Sequence, residues 1–169
     1  QNRQRLESLL AFPDDSVASL MDFGMVTIRA DTTLGVVLRY LRQRGELPEH
    51  TDKLFVVDEN NRLQGALSLK RLVINNAEQS VASVMAKDIA FFHLDDDAED
   101  AARAFERYDL LSAPVVDAEK VLQGRIRIDA IVDHIRQKSD EERLAEAGLR
   151  EDEDIFSSIW KSASNRWLW

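Results

Sequence analysis

The sequence predicts an α/β (α+β) fold: a duplicated β-α-β-β-α unit with flanking helices. Three observations predict it. First, the chain repeats itself in order. Val17-Ala18-Ser19-Leu20-Met21 returns as Val81-Ala82-Ser83-Val84-Met85, 64 residues later, while Val56-Val57-Asp58 returns as Val115-Val116-Asp117 and Leu63-Gln64-Gly65 as Leu122-Gln123-Gly124, both 59 residues later. Second, short apolar runs alternate with segments of helical periodicity in each copy. Third, 169 residues with 44% hydrophobic and 31% charged side chains suit one compact domain or two small ones. The fall in offset gives the first copy about five extra residues, expected in the loop around Arg44 to Thr51.

Each element follows from its residues. Met25 to Ile28 and Ile89 to His93 are apolar stretches that suggest a short opening strand. Thr33 to Arg44 and Asp97 to Tyr108 are periodic. In the second of these, Ala98, Ala101, Ala102 and Phe105 share one helical face. Asp31-Thr32-Thr33 and Asp95-Asp96-Asp97 offer N-caps and first-turn acids for those helices. Two strands follow in each copy: Leu54 to Val57 with Leu63 to Leu67, and Ala113 to Val116 with Val121 to Ile128. The polar turns Asp58-Glu59-Asn60-Asn61 and Asp117-Ala118-Glu119-Lys120 join them. A helix closes each copy, from near Leu69 and near Asp129. A copy of about sixty residues buries too little surface alone, which favours packing the two together.

Composition narrows the function classes. No cysteine is present, which removes disulfide and thiolate chemistry. A formal charge of -9 repels nucleic acid and attracts cations. No apolar run reaches the length of a membrane span, and Gln1-Asn2-Arg3-Gln4-Arg5 lacks the apolar core of a signal peptide. The chain therefore reads as a soluble, intracellular-type fragment. His50, His93 and His134 form no zinc pattern, and there is no phosphate loop or nucleophile elbow, so no enzyme activity is expected.

The duplicated unit, with its Val-Ala-Ser head and its Val-Val-Asp and Leu-Gln-Gly motifs, resembles a tandem CBS-domain pair. Further segments narrow the resemblance. Leu9-Leu10-Ala11-Phe12-Pro13-Asp14-Asp15-Ser16 is similar to the end of the helical N-domain of MgtE-type magnesium transporters. Phe105-Glu106-Arg107-Tyr108-Asp109-Leu110 with Pro114-Val115-Val116-Asp117 is similar to that family's second CBS domain. Trp160 to Trp169 resembles the start of its plug helix. The resemblance implies four segments. Residues 1–15 are the end of the N-domain and linker, 16–79 the first CBS domain, 80–138 the second, and 139–169 a connecting plug helix leading to a membrane domain absent from this chain. It also implies a cytosolic Mg2+-sensing module, working as a homodimer with its own transmembrane domain and N-domain, on the cytoplasmic side of the inner membrane. In that family, bound Mg2+ holds acidic interfaces together and keeps the pore closed, a cation-linked population shift.

Two acidic clusters suit such a mechanism. One is Asp95-Asp96-Asp97-Ala98-Glu99-Asp100 with Glu106 and Asp109. The other runs from Asp129 through Asp133, Asp140, Glu141 and Glu142 to Glu151-Asp152-Glu153-Asp154. Mg2+ keeps several waters and needs only one or two carboxylates, so its sites leave no sharp spacing. Composition alone favours a solvated acidic helix face. The resemblance reverses that preference at Asp97, Glu99, Asp109, Asp133 and Glu141, which align with Mg2+-contacting acids, and at Glu142, where the family has aspartate. Asp109 and Asp133 are the leading pair. Ala130 after Asp129, and Lys138 where a glutamate is expected, depart from the pattern and weaken at least one site.

The rival readings are an adenine-nucleotide-sensing CBS regulator of an enzyme such as inosine monophosphate dehydrogenase, and a CBS tail of an unrelated channel. CBS pairs that hold nucleotides place a Ser/Thr and, three residues on, an Asp against the ribose. Here those positions are Ser68 with Arg71, and Arg127 with Ala130, so ATP binding is not expected. Lys70, Arg71, Arg125 and Arg127 read as surface cations paired with the acidic face. Trp160 and Trp167 stand seven apart beside Lys161 and Arg166. This pattern fits a membrane interface or a docked terminal helix equally well.

Overall fold

The recurrence of the five-residue head is explained by where each head packs. The computed structural model describes the backbone of residues 2–167 and the side chains from Arg3 to Leu149, those of Arg5, Leu6 and Ser8 excepted. It contains two units, Gln1–Ile131 and Val132–Trp169. After α1 (Asn2–Leu9) and a 3-10 turn (Val17–Leu20), the first copy runs β1 (Thr27–Arg29), α2 (Leu34–Arg44), β2 (Lys53–Val57), β3 (Leu63–Ser68) and α3 (Leu69–Ile74). Then come the one-turn α4 (Val81–Val84), β4 (Phe92–His93), α5 (Ala98–Tyr108), β5 (Ser112–Val116), β6 (Leu122–Arg127) and α6 (Ile128–Trp167). Each copy builds a three-stranded sheet, ordered β1-β2-β3 and β4-β5-β6. The first pair in each is parallel and the second antiparallel. A parallel pair requires a crossover, and α2 and α5 supply it.

The heads are exchanged between copies. Val17, in the head of the first copy, is fully buried with Phe92, Phe105, Ala113 and Ile126 of the second. Its N–H donates to the Asp96 carbonyl at 2.8 Å, and Ala98 N–H donates back to Asp15. Val81 and Val84 in turn join Ile28, Leu34, Val56 and Leu72 of the first copy, with Val81 N–H on the Thr32 carbonyl at 2.8 Å. Burying one such valine contributes about 1.5–3 kcal/mol. A third cluster, Phe55, Val57, Leu63, Ala66, Val116 and Leu122, lies between the sheets and supplies the burial that one copy lacks.

The Leu-Gln-Gly motif has a backbone cause. Gly65 and Gly124 lie opposite Val56 and Val115 in register. The residue after each glycine bridges the other head: Ala66 exchanges backbone hydrogen bonds with Ala86, and Arg125 with Asp22. A Cβ on Gly65 would stand 2.3 Å from the Ala86 carbonyl oxygen, and one on Gly124 would stand 2.6 Å from that of Asp22. Only glycine permits this approach. The extra residues of the first copy lie where expected: α2 and β2 are joined by residues 45–52, whereas α5 and β5 are joined by 109–111.

Caps and turns follow the sequence closely. Thr33 and Asp97 stand one residue outside the helices predicted to include them, because each is the N-cap of α2 or α5. Asp58 Oδ1 accepts from Asn60 and Arg62 N–H, and Asp117 Oδ1 from Glu119 and Val121 N–H, which makes both turn-formers. The opening strands are shorter and later than predicted, since only Thr27–Arg29 and Phe92–His93 find partners on β2 and β5. The strand expected over Val121 to Ile128 is trimmed at both ends: Val121 bridges Arg62, and Ile128 begins α6.

The second unit is the remainder of α6. No helix among the described residues is long and apolar enough to cross a membrane. The side chains of Trp160 and Trp167, and all of Trp169, lie outside the described residues.

Candidate functional site

The candidate acids on α5 occupy its two ends. Asp97 is the N-cap, and its Oδ1 accepts from Glu99 N–H at 2.8 Å. Glu99 and Asp100 follow in the first turn, where carboxylates complement the exposed N–H groups, and both reach Arg103, at 3.5 and 3.7 Å. Asp109 is the C-cap, with φ 55 and ψ 43, its N–H donating to the Phe105 carbonyl. Its counterpart in the first copy is Gly45, at φ 73. Aspartate and asparagine are among the few residues besides glycine that tolerate this left-handed conformation. Asp97 and Glu99 thus share one turn, whereas Asp109 stands on the order of 15–20 Å away along the helix.

Asp133, Glu141 and Glu142 all lie on α6 and are exposed. Asp133 and Glu141 are separated by about two turns, and adjacent residues such as Glu141 and Glu142 do not face each other on a helix. Among the described residues, no group of three or more His, Asp or Glu side chains converges as a metal cage. What the acids of one element offer is single carboxylates in water, the donor set of a weakly held, hydrated cation.

The two ribose-type positions are engaged within the chain. Ser68 caps α3, its Oγ accepting from Arg71 N–H at 3.1 Å, and Arg71 Nη1 donates to the Val84 carbonyl at 3.0 Å. The reading of Arg125 as a surface cation is corrected here. Arg125 is 3% exposed. Its Nε donates to Asp22 Oδ1 at 3.0 Å, Nη1 to the His50 carbonyl at 3.1 Å, and Nη2 to the Glu49 carbonyl. Beside it, Arg127 Nε lies 2.9 Å from Asp22 Oδ2, and Nη2 lies 3.0 Å from Asp129 Oδ2. His50 Nε2 approaches the same Asp129 oxygen at 3.7 Å. Sequence reasoning missed this network. Its one signal was a charged residue in a strand expected to be buried, at the place where the other copy has Ala66.

Comparisons with known proteins agree with the repeat. A family model described as the CBS domain matches residues 17–76 and 81–137. The magnesium transporter MgtE of Enterococcus faecalis is 29% identical over 164 residues, covering 97% of this chain and 36% of that protein. The MgtE of Thermus thermophilus is 32% identical over 142 residues, covering 84% and 32%. The chain therefore spans about a third of the length of these relatives. Among solved structures, the cytosolic domain of the Mg2+ channel MgtE in complex with ATP superposes with a TM-score of 0.72 at 34% identity, covering 78% of this chain and 53% of that one.

Proposed function

The chain belongs to the CBS-domain family, and from its likeness to MgtE transporters we propose that it is a Mg2+-sensing regulatory module that gates a homodimeric magnesium channel or transporter. One observation carries the reading: the likeness to a magnesium transporter extends over 97% of the chain and is not confined to the CBS copies. In this reading the module sits on the cytoplasmic side of the inner membrane, joined to the N-domain and transmembrane domain of a longer protein. It regulates and does not catalyse.

The acids act by electrostatics. Asp97, Glu99, Asp109, Asp133, Glu141 and Glu142 are brought near other carboxylates in the closed arrangement, and Mg2+ with its waters relieves their repulsion. Because carboxylates of one helix do not converge, each ion is shared between elements or between copies of the chain. The exposed Val36 and Tyr40 of α2 and Val73 and Ile74 of α3 support a dimer that covers apolar helix surface.

Thermal melting and small-angle scattering in Mg2+, against NaCl of equal ionic strength, test this reading. Binding to the closed form alone stabilises it by about 2.7 kcal/mol per site at one hundred times Kd. The double variant D109N/D133N keeps the fold, since asparagine also accepts the left-handed conformation of position 109, and loses much of the Mg2+ response. If NaCl reproduces the whole effect, or the variant responds as the parent does, the carboxylates are a solvated face.

A second reading, adenine-nucleotide sensing, is favoured by the ATP present in the solved MgtE relative. We place it second because Arg71 and Ala130 stand where ribose-binding aspartates belong. Calorimetry with ATP and AMP separates the two, and micromolar affinity for either nucleotide would promote the second reading.

A further inference from the structure

We propose that the ion network centred on Arg125 is a mechanical coupler, which ties the head segment and the α2–β2 loop of the first copy to the first turn of α6. The internal pseudo-symmetry of the fold supplies the argument. The same antiparallel backbone bridge occurs twice, between Ala66 and Ala86 and between Asp22 and Arg125. At the first, two methyl groups suffice. The fold therefore does not require charge at this place. Replacing that pair by a buried arginine and an aspartate brings a desolvation cost that close ion pairing only offsets, so the network adds definition of position more than net stability.

Its connections point to that role. The five residues peculiar to the first copy lie in the 45–52 loop, and this loop delivers the Glu49 and His50 carbonyls to the two terminal nitrogens of Arg125. His50 adopts φ 55, in the left-handed region that few residues besides glycine, asparagine, aspartate and histidine enter, at the point where its carbonyl meets the guanidinium. Asp22 holds Arg125 with one carboxylate oxygen and Arg127 with the other. Arg127 then reaches Asp129, in the first turn of α6. A chain of charge pairs thus runs from the head of one copy, along the edge strand of the other, to the helix that carries Asp133, Glu141 and Glu142. The coupler stands independently of the Mg2+ reading; only its use in gating rests on that reading.

Amide hydrogen exchange in Mg2+-free buffer tests it, and the outcome does not depend on whether the chain senses Mg2+. The double variant D22A/R125M removes the charges, keeps most of the side-chain volume and imitates the uncharged bridge of the first copy. It is expected to fold, with exchange in β2 and β5 unchanged. Exchange in residues 45–52 and 128–136 should quicken about ten- to a hundredfold, the loss of a charge-assisted hydrogen bond converted at about 1.4 kcal/mol per decade. The variant R127M removes the pairs that Arg127 makes with Asp22 and Asp129 and leaves Arg125 its own partners, so it should quicken exchange at the start of α6 while leaving the loop unchanged. Parental exchange at the start of α6 in both variants overturns the proposal. Should the double variant fail to fold, R127M alone decides: quickened exchange confined to the start of α6 supports the coupler, and parental exchange overturns it.

Discussion

Replacing Gly65 by alanine tests the account of the exchanged heads most directly. The new Cβ would lie 2.3 Å from the Ala86 carbonyl oxygen and 3.3 Å from its carbon. These are backbone atoms, so no side chain can swing aside. Overpacking of this kind costs about 1–3 kcal/mol. Relief by separating the strands would sacrifice the two hydrogen bonds between Ala66 and Ala86, at about 0.5–1.5 kcal/mol each. Either route therefore costs about 1–3 kcal/mol, or a fall in Tm of about 2–12 °C for a chain of this size. Urea denaturation followed by circular dichroism measures it. Two other glycines serve as controls. Gly45 has φ 73 and open space around its Cβ position, so its alanine variant pays only the left-handed penalty, about 1–2 kcal/mol. Gly148 has nothing near it on a helix, and alanine there should stabilise by up to about 1 kcal/mol. A Gly65→Ala loss below about 1 kcal/mol would refute the claim that backbone approach dictates the repeated glycine.

Two more predictions separate structural from cation-binding roles of acids. Asp97→Ala should cost about 1 kcal/mol by removing the N-cap of α5, while Asp97→Asn should leave stability within about 0.5 kcal/mol of the parent; if Asp97 also holds Mg2+, the Asn variant loses Mg2+-dependent stabilisation, read as a reduced Tm shift. Asp117→Ala should destabilise by about 1–2 kcal/mol, because two turn N–H groups lose their acceptor. Any Mg2+-dependent Tm shift of the parent should be unchanged in this variant, and a diminished shift would show that Asp117 takes part in cation binding.

Much of the fold was legible because it is written twice and locally. Helical periodicity, the Thr33 and Asp97 caps and the Asp58 and Asp117 turns act within a few residues of themselves, so residue type and spacing determine them. The repeat itself revealed the duplication, and the change in offset placed the longer loop around Arg44 to Thr51, where the structure has it at residues 45–52. The acids were legible as acids, and Asp97 also as a cap, since charge and N-capping are local properties; the C-cap role of Asp109 emerged only from its backbone conformation. Their convergence is not local. Whether carboxylates from α5 and α6 meet around one ion depends on how elements far apart in sequence approach each other.

The same limit explains what the tertiary structure alone decided. Val17-Ala18-Ser19-Leu20-Met21 reads as the opening of its own copy, yet its valine is buried in the other. No local pattern distinguishes these arrangements, because an apolar head is buried equally well in either. Arg125 carries the sharpest lesson. By type it belongs on the surface, and only the meeting of Asp22, the Glu49 and His50 carbonyls and β6 makes a fully paired interior site for it. Composition and periodicity thus determined the duplicated unit and its punctuation. Long-range backbone approach and the pairing of buried charge, whose free energy depends on distance in space and not in sequence, decided how the copies exchange heads and where the arginine lies.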